Sequence, residues 1–222
     1  MKTMGLSELV LVRPKIFPSD EATARASGAN DILERATVAD NLPDAIADCG
    51  FVVGASARLR GLQWPVVDPR RCAELVWQQI PQNRVALVMG PEASGLTNED
   101  LARCQQLVHI PTQPEYGSLN LAMAVQVLCY ELRMAVDAGR VQSEEVREAP
   151  LATAAELEGF HAHLERVLRD AQFLHPDHPR QLKLKLRRLF HRARLDQNEI
   201  NILRGALAAL DPSKTSRGND EP

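Results

Sequence analysis

The sequence predicts an α/β fold in which a mostly parallel sheet is flanked by helices and followed by a smaller all-helical module. Continuous apolar runs at Leu9–Val12, Phe51–Val53, Val85–Met89 and Leu107–Ile110 each stop at or just before a glycine or proline. Unalternated runs of that length suit strands buried on both faces of a parallel sheet. Helix-patterned segments separate the runs. After Gly139 the apolar runs cease and only helical periodicity remains, which divides the chain into two modules. The expected boundaries are a sheet domain over 1–140, a linker over 141–152, a helical domain over 153–211 and a disordered tail over 212–222.

Taken in order, Met1–Met4 has the pattern of a helix end, with Gly5 as its stop. Ser19–Ala26 is helical and closed by Gly28. Thr37–Cys49, with Leu42, Ala45 and Ile46 on one face, is expected to be a short helix. Phe51–Val53 is a strand broken at Gly54. Asp68-Pro69 starts a helix that carries Leu75, Val76 and Ile80, the acid capping it and the proline filling its first position. Thr97 and Asp100 suggest a capping box before a short helix at Leu101–Cys104. Ser118–Ala138 is the longest helix, with Leu121, Val125, Leu128 and Leu132 along its stripe. Thr153 with Glu156 caps a helix through Phe160, Leu164 and Val167. His175–Pro179 is a turn. Arg180–Arg194 is a basic helix, and Asp196 with Glu199 opens a last helix through Ile200, Leu203 and Leu207.

Composition narrows the function. A net charge of −3 over 222 residues points neither to a nucleic-acid coat nor to a membrane surface, although the C-terminal third is locally basic. No apolar run approaches a membrane span. Cys49, Cys72, Cys104 and Cys129 form no Cys-x-x-Cys pair and suit buried small side chains in a reducing cytoplasm.

The chemistry concentrates between Arg84 and Asn120, where two loops rich in glycine and proline leave two strand ends. Ligands of open α/β sheets bind there. Gly90–Thr97 nearly matches a phosphate-binding loop, but Leu96 stands at the lysine position and Glu92 places a carboxylate where phosphates need positive charge. A nucleoside triphosphatase is thereby disfavoured. No Gly-x-Gly-x-x-Gly follows a strand, so the dinucleotide fingerprint is absent as well. Tyr116-Gly117-Ser118-Leu119-Asn120 sets small polar residues at a helix start, where free backbone N–H groups attract a polar partner. His175, Asp177 and His178 lie between prolines and read as a solvated turn rather than metal ligands. Arg180, Lys183, Lys185, Arg187, Arg188, Arg192 and Arg194 make a helix face of one sign, better explained by phosphate contact than by solvation.

With these residues in view, the chain resembles the SPOUT-class RNA ribose 2′-O-methyltransferases of the SpoU type, most nearly those acting on cytidine or uridine at position 32 of the tRNA anticodon loop. Val88–Leu96 is similar to the family's second motif and Ile110–Ala124 to its third. Val53–Arg58, Asp68–Arg70, Lys185–Arg194 and Asn201–Gly205 extend the likeness over nearly the whole chain. The resemblance implies a trefoil-knotted sheet, an exception to the rule against knots. It implies S-adenosyl-L-methionine bound in the knot at Ala55, Ser56, Ala57, Gly90, Ile110, Ser118 and Leu119, with Glu92, Ser118 and Asn120 shaping the catalytic centre. It further implies tRNA contacts from Arg58, Arg180, Lys183, Arg187, Arg188, Arg192 and Arg194, and a homodimer formed largely through the helix that begins near Ser118. The family's first motif, Asn-x-Gly-x-x-x-Arg-Ala, would precede Met1, and its arginine is the residue assigned to readying the 2′-hydroxyl. The expectation is therefore a start codon assigned too late, with a non-catalytic RNA-binding derivative as the alternative.

Overall fold

The computed structural model describes residues 1–57, 64–113, 115, 117, 119–137, 149–174 and 179–211, with the side chains of 137 and 179–181 left aside. The expected sites Arg58 and Ser118, the side chain of Arg180, the turn residues 175–178, most of the linker and the tail fall outside these residues.

The chain opens with a 3-10 turn at Lys2–Met4, closed by Gly5 in the left-handed region at φ 81°. Strand β1 (Val10–Val12) pairs in parallel with β2 (Thr37–Ala39), separated by α1 (Asp20–Arg25) and α2 (Asn30–Glu34). Ser19 caps α1 through its side chain. After α3 (Leu42–Ala45) comes the principal sheet: β3 (Phe51–Ala55), β4 (Val66–Val67), β5 (Val85–Val88) and β6 (Gln106–Val108), all parallel, in the spatial order β4-β6-β3-β5. Helices α4 (Pro69–Gln79), α5 (Asn98–Leu101) and α6 (Leu121–Asp137) connect and cover it.

Strand alternation sends successive side chains of β3 to opposite faces. Phe51 and Val53 pack with Leu75 and Val76 of α4 and Leu128 of α6. Val52 packs the other way, with Leu96, Leu101, Cys104 and Leu107. All three β3 residues are fully buried, which is the two-sided cover that a continuous apolar run anticipates. Buried Gln105 supplies hydrogen bonds at the start of β3. Its Oε1 accepts from Val52 N at 2.8 Å, and its Nε2 donates to Gly50 O at 3.2 Å.

Helices α7 (Ala154–Asp170), α8 (Pro179–Ala193) and α9 (Gln197–Leu210) form the helical module. Both expected capping boxes are present, Thr153 with Glu156 and Asp196 with Glu199. Leu157, Phe160 and Ile200 are its buried centre, joined by Leu164, Phe190 and Leu203. Phe160 and Phe190 meet edge to face at 4.7 Å. The module docks on the sheet domain through backbone hydrogen bonds. Ala154 N donates to Cys49 O at 2.8 Å, and Ala155 N donates to Ala47 O at 3.0 Å.

Several sequence expectations need correction. Thr37–Cys49 is not one helix: Thr37–Ala39 is strand β2, and the helix occupies only Leu42–Ala45 behind an Asn41 cap. The β-branched pair Thr37 and Val38 finds its partner in β1, 27 positions earlier in register (Val10↔Thr37), and that pairing overrides local helical spacing. The capping box of Thr97 and Asp100 is real, but its helix is Asn98–Leu101 rather than Leu101–Cys104. Strand β3 runs through Gly54 to Ala55, because β6 continues to pair with it there. The long helix is assigned from Leu121, where Asn120 Oδ1 accepts from Ala122 N.

Candidate functional site

Because β3, β5 and β6 are parallel neighbours, their C-terminal ends emerge on one edge, and the loops that leave them converge on a single cleft. Ala55, Ser56 and Ala57 wall it after β3. The segment Met89–Leu96 wraps it after β5, and Ile110 and Thr112 line it after β6. Gly117, Leu119 and, from α6, Leu121 and Ala124 complete the wall. The expected cofactor residues Ala55, Ser56, Ala57, Gly90, Ile110 and Leu119 are thus brought together, with Glu92 among them. Sequence reasoning missed Thr112 and Ala124, whose only signal was membership of the same loop and helix start.

The loop after β5 folds back on itself. Pro91 O accepts from Gly95 N at 2.7 Å, and Gly95 adopts φ +67°. A β-carbon on Gly90 would lie 2.2 Å from the Gly95 carbonyl carbon, so only glycine fits where the two backbone strands of the loop cross. Leu96, 7% exposed, anchors the far end of the loop in the core.

The three loops are tied to one another. Ser56 N donates to Val108 O at 3.0 Å, and His109 Nδ1 lies 3.0 Å from Ser56 O. A carbonyl can only accept, so the proton of His109 is assigned to Nδ1. Glu92 Oε1 accepts from Leu121 N at 3.3 Å, and Asn120 Oδ1 accepts from Ala122 N at 2.8 Å. Two of the first N–H groups of α6 therefore find acceptors, and the carboxylate sits at the positive end of the helix dipole. Glu92 and Asn120, expected to shape the catalytic centre, meet at this helix start.

Small side chains, the apolar side chains of Met89, Ile110, Leu119 and Leu121, and one carboxylate line the cleft. Glu92 is the sole ionisable side chain among its described lining residues, none of which is a lysine or arginine. That balance disfavours a polyphosphate and suits a ligand with an apolar ring and a positive charge. Among the described residues no cluster of His, Cys, Asp or Glu could hold a metal ion. The four cysteines are free and buried. Burial pushes Cys49 up to about 11 and both Cys72 and Cys104 up to about 12, which leaves them without thiolate character. No helix among the described residues is long and apolar enough to cross a membrane.

The basic helix proves to have two faces. Arg187, its side chain 12% exposed, forms a two-pronged pair with Glu158 of α7, the second prong at 2.9 Å. Lys183 Nζ pairs with Glu165 of α7 at 2.6 Å. Arg194 lies with its guanidinium carbon 5.3 Å from the centre of the Phe51 ring. The expectation of a one-sign face is corrected accordingly: α7 supplies carboxylates that the α8 sequence does not show, and Arg187 turns inward. Lys185 and Arg192 are exposed and Arg188 half-buried. The spacing 185, 188, 192 sets these three on one helical stripe.

Comparison with known proteins agrees with this geometry. Residues 1–130 match the SpoU rRNA Methylase family, and residues 155–221 match the C-terminal domain of tRNA methyltransferase TrmJ. The chain is 51% identical to the tRNA (cytidine/uridine/adenosine-2′-O-)-methyltransferase TrmJ of Pseudomonas aeruginosa, covering 98% of this chain and 88% of that protein. It is 49% identical to the tRNA (cytidine/uridine-2′-O-)-methyltransferase TrmJ of Photorhabdus laumondii, over 95% of this chain and 88% of the other. Among solved structures, TrmJ from Z. mobilis superposes with a TM-score of 0.82 at 33% identity, covering 95% of this chain and 89% of that one.

Proposed function

The chain belongs to the SpoU methylase family, and from that premise we propose that it is a tRNA ribose 2′-O-methyltransferase that takes its methyl group from S-adenosylmethionine. The observation that carries the reading is the convergence of Ala55, Ser56, Ala57, Gly90, Ile110 and Leu119 on one cleft at the sheet edge. These residues suit the donor. Small side chains leave room for a flat adenine, exposed backbone can bond its edges, and Glu92 supplies a negative charge toward a sulfonium. Bound there, the donor offers an electrophilic methyl group.

The protein's own residues have two tasks. Glu92 and Asn120 hold the first turn of α6 and so fix one wall of the cleft. Ser118, in the same loop, is proposed to contact donor and ribose. A ribose 2′-hydroxyl is a weak acid, so its proton needs an acceptor or its oxygen needs cationic stabilisation. The trefoil knot, the target at position 32 and a cytoplasmic setting belong to the same proposal, with family membership as their support. A homodimer through α6 is proposed as well, supported by exposed Met123, Tyr130 and Met134 on that helix. For RNA, the proposed contacts are Arg58, Arg180, Arg188 and Arg192, with Lys185 beside them; Lys183 and Arg187 instead pair with acids of α7, and Arg194 lies over Phe51 of the sheet domain.

Incubation with methyl-labelled S-adenosylmethionine and unmodified tRNA, followed by nuclease digestion, tests the reaction. A labelled 2′-O-methylnucleoside from the anticodon loop is expected. Label carried on a base would overturn the reaction type.

A further inference from the structure

Between the two modules, Glu158 of α7 binds two arginines at once. One is Arg187 of α8, within the helical module. The other is Arg103, in the turn that follows α5, whose Nη1 lies 2.7 Å from Glu158 Oε1. That second contact is an ion pair rather than an aligned hydrogen bond, since Arg103 Nη1 is buried without a hydrogen-bond acceptor. Arg103 and Glu158 are 24% and 35% exposed at their side chains, so the pair is partly screened from water. Burial acts to raise the Glu158 carboxyl, and Arg187 and Arg103 together overcome it, holding the group down at about 2. The carboxylate is therefore ionised, and the clip closed, at any working pH.

Both ends of this clip lead to functional elements. Arg103 lies seven residues beyond Leu96, the anchor of the Gly90–Leu96 loop. Leu101, Ala102 and Cys104 share one buried cluster with Leu96, and Leu184 of α8 packs against that same cluster. On α8, Leu184, Arg187 and buried His191 follow one inward stripe, and Lys185, Arg188 and Arg192 form the neighbouring stripe, about 100° round the helix. The helix that would meet RNA is thus fastened to the wall of the donor cleft at two points, Leu184 and Arg187, the latter through Glu158 and Arg103.

Resting on the methyltransferase reading, we propose that Arg103 is a positioning residue: through Glu158 and Arg187 it sets the register in which α8 presents its outer cations relative to the donor cleft. A bound RNA would then offer one particular ribose to the cleft and not its neighbours. Arg103 touches neither donor nor RNA in this account, and its effect is on alignment alone. Small misplacements at a transfer site are costly, so the effect on rate is expected to exceed that on affinity.

The test compares Arg103→Gln, Arg103→Lys and wild type in full-length protein, with labelled S-adenosylmethionine and one unmodified tRNA. Arg103→Gln severs only the arm that crosses between modules and leaves Glu158 with Arg187, so the helical module keeps its own pairing. Expected are a donor Kd and a tRNA Kd within about twofold of wild type and a kcat lower by about tenfold. Some methylation should spread to riboses adjacent to the wild-type target, with partial recovery in Arg103→Lys. A merely structural role would lower the melting temperature and the active fraction but leave the methylated position unchanged. Glu158→Gln is the second variant, and the same loss of positional fidelity is expected from it. Wild-type kcat with single-site methylation in both variants would overturn the positioning role. A wild-type protein that methylates no tRNA would instead overturn the reading on which it rests, and the proposal with it.

Discussion

Replacing Gly90 by alanine is the sharpest perturbation that the cleft allows. The new β-carbon would lie 2.2 Å from Gly95 C, 2.3 Å from Leu96 N and 2.6 Å from Gly95 O. Carbon contacts settle near about 3.5 Å, so the loop must open by more than about 1 Å. All three obstacles are backbone, and no rotamer change relieves them. Leu96 is buried on the far side, so the shift falls on the segment Pro91–Gly95 that walls the cleft. Overpacking of this kind costs about 1–3 kcal/mol. If that strain is borne by the binding-competent loop, donor affinity falls between about fivefold and 150-fold. Titration calorimetry with S-adenosylhomocysteine, beside a thermal melt, separates lost affinity from lost folding. Gly90→Ala binding within about twofold of wild type, with an unchanged melt, would refute the close-crossing account of this loop.

Other expectations follow from the same structure. Gly159 and Gly205 lie inside α7 and α9 with open space where a β-carbon would go; alanine at either should raise stability by about 0.5–1 kcal/mol in denaturant melts. Arg188→Ala with Arg192→Ala should weaken tRNA binding and reduce the log–log salt slope by roughly two. Arg187→Ala should instead lower the melting temperature, because it leaves Glu158 with Arg103 alone. Burial, with His191 and Arg187 nearby, brings His161 down to about 3, and burial with Arg187 brings His191 down to about 4, from an ordinary 6.5. Both are neutral when folded and take up protons more readily when unfolded, so stability should fall as pH drops from about 6.5 toward 4. Glu158, held at about 2 when folded, adds a loss in the same direction below its ordinary 4.5. A flat stability between pH 7 and pH 4, measured by denaturant titration, would contradict the buried neutral state of the two rings.

How much was legible in the sequence depended on how local its cause was. The donor loops could be read because their determinants lie within a few residues: an apolar run ending at Gly90-Pro91, and a glycine five positions on whose φ of +67° closes the loop. Capping boxes were legible for the same reason. Strand β2 was not, because three residues gain their conformation from β1 and are followed almost at once by a helix cap. Strand β4 has two residues, too few for any period to show. The division of α8 into an inward and an outward face was also hidden. Its sequence shows six cations, whereas the acids that claim Arg187 and Lys183 sit on α7, at Glu158 and Glu165. The Glu92 contact to Leu121 spans 29 residues and links two loops that local pattern treats separately.

The central claim is that the cleft formed by Gly90–Leu96 and the loop leading into α6 is built for a methyl donor. Titration calorimetry of the purified chain with S-adenosylmethionine and, separately, with ATP tests it most directly. One saturable site for S-adenosylmethionine, weakened by Gly90→Ala, and no heat of binding for ATP is the predicted result. Tight ATP binding, with none for S-adenosylmethionine, would contradict the account.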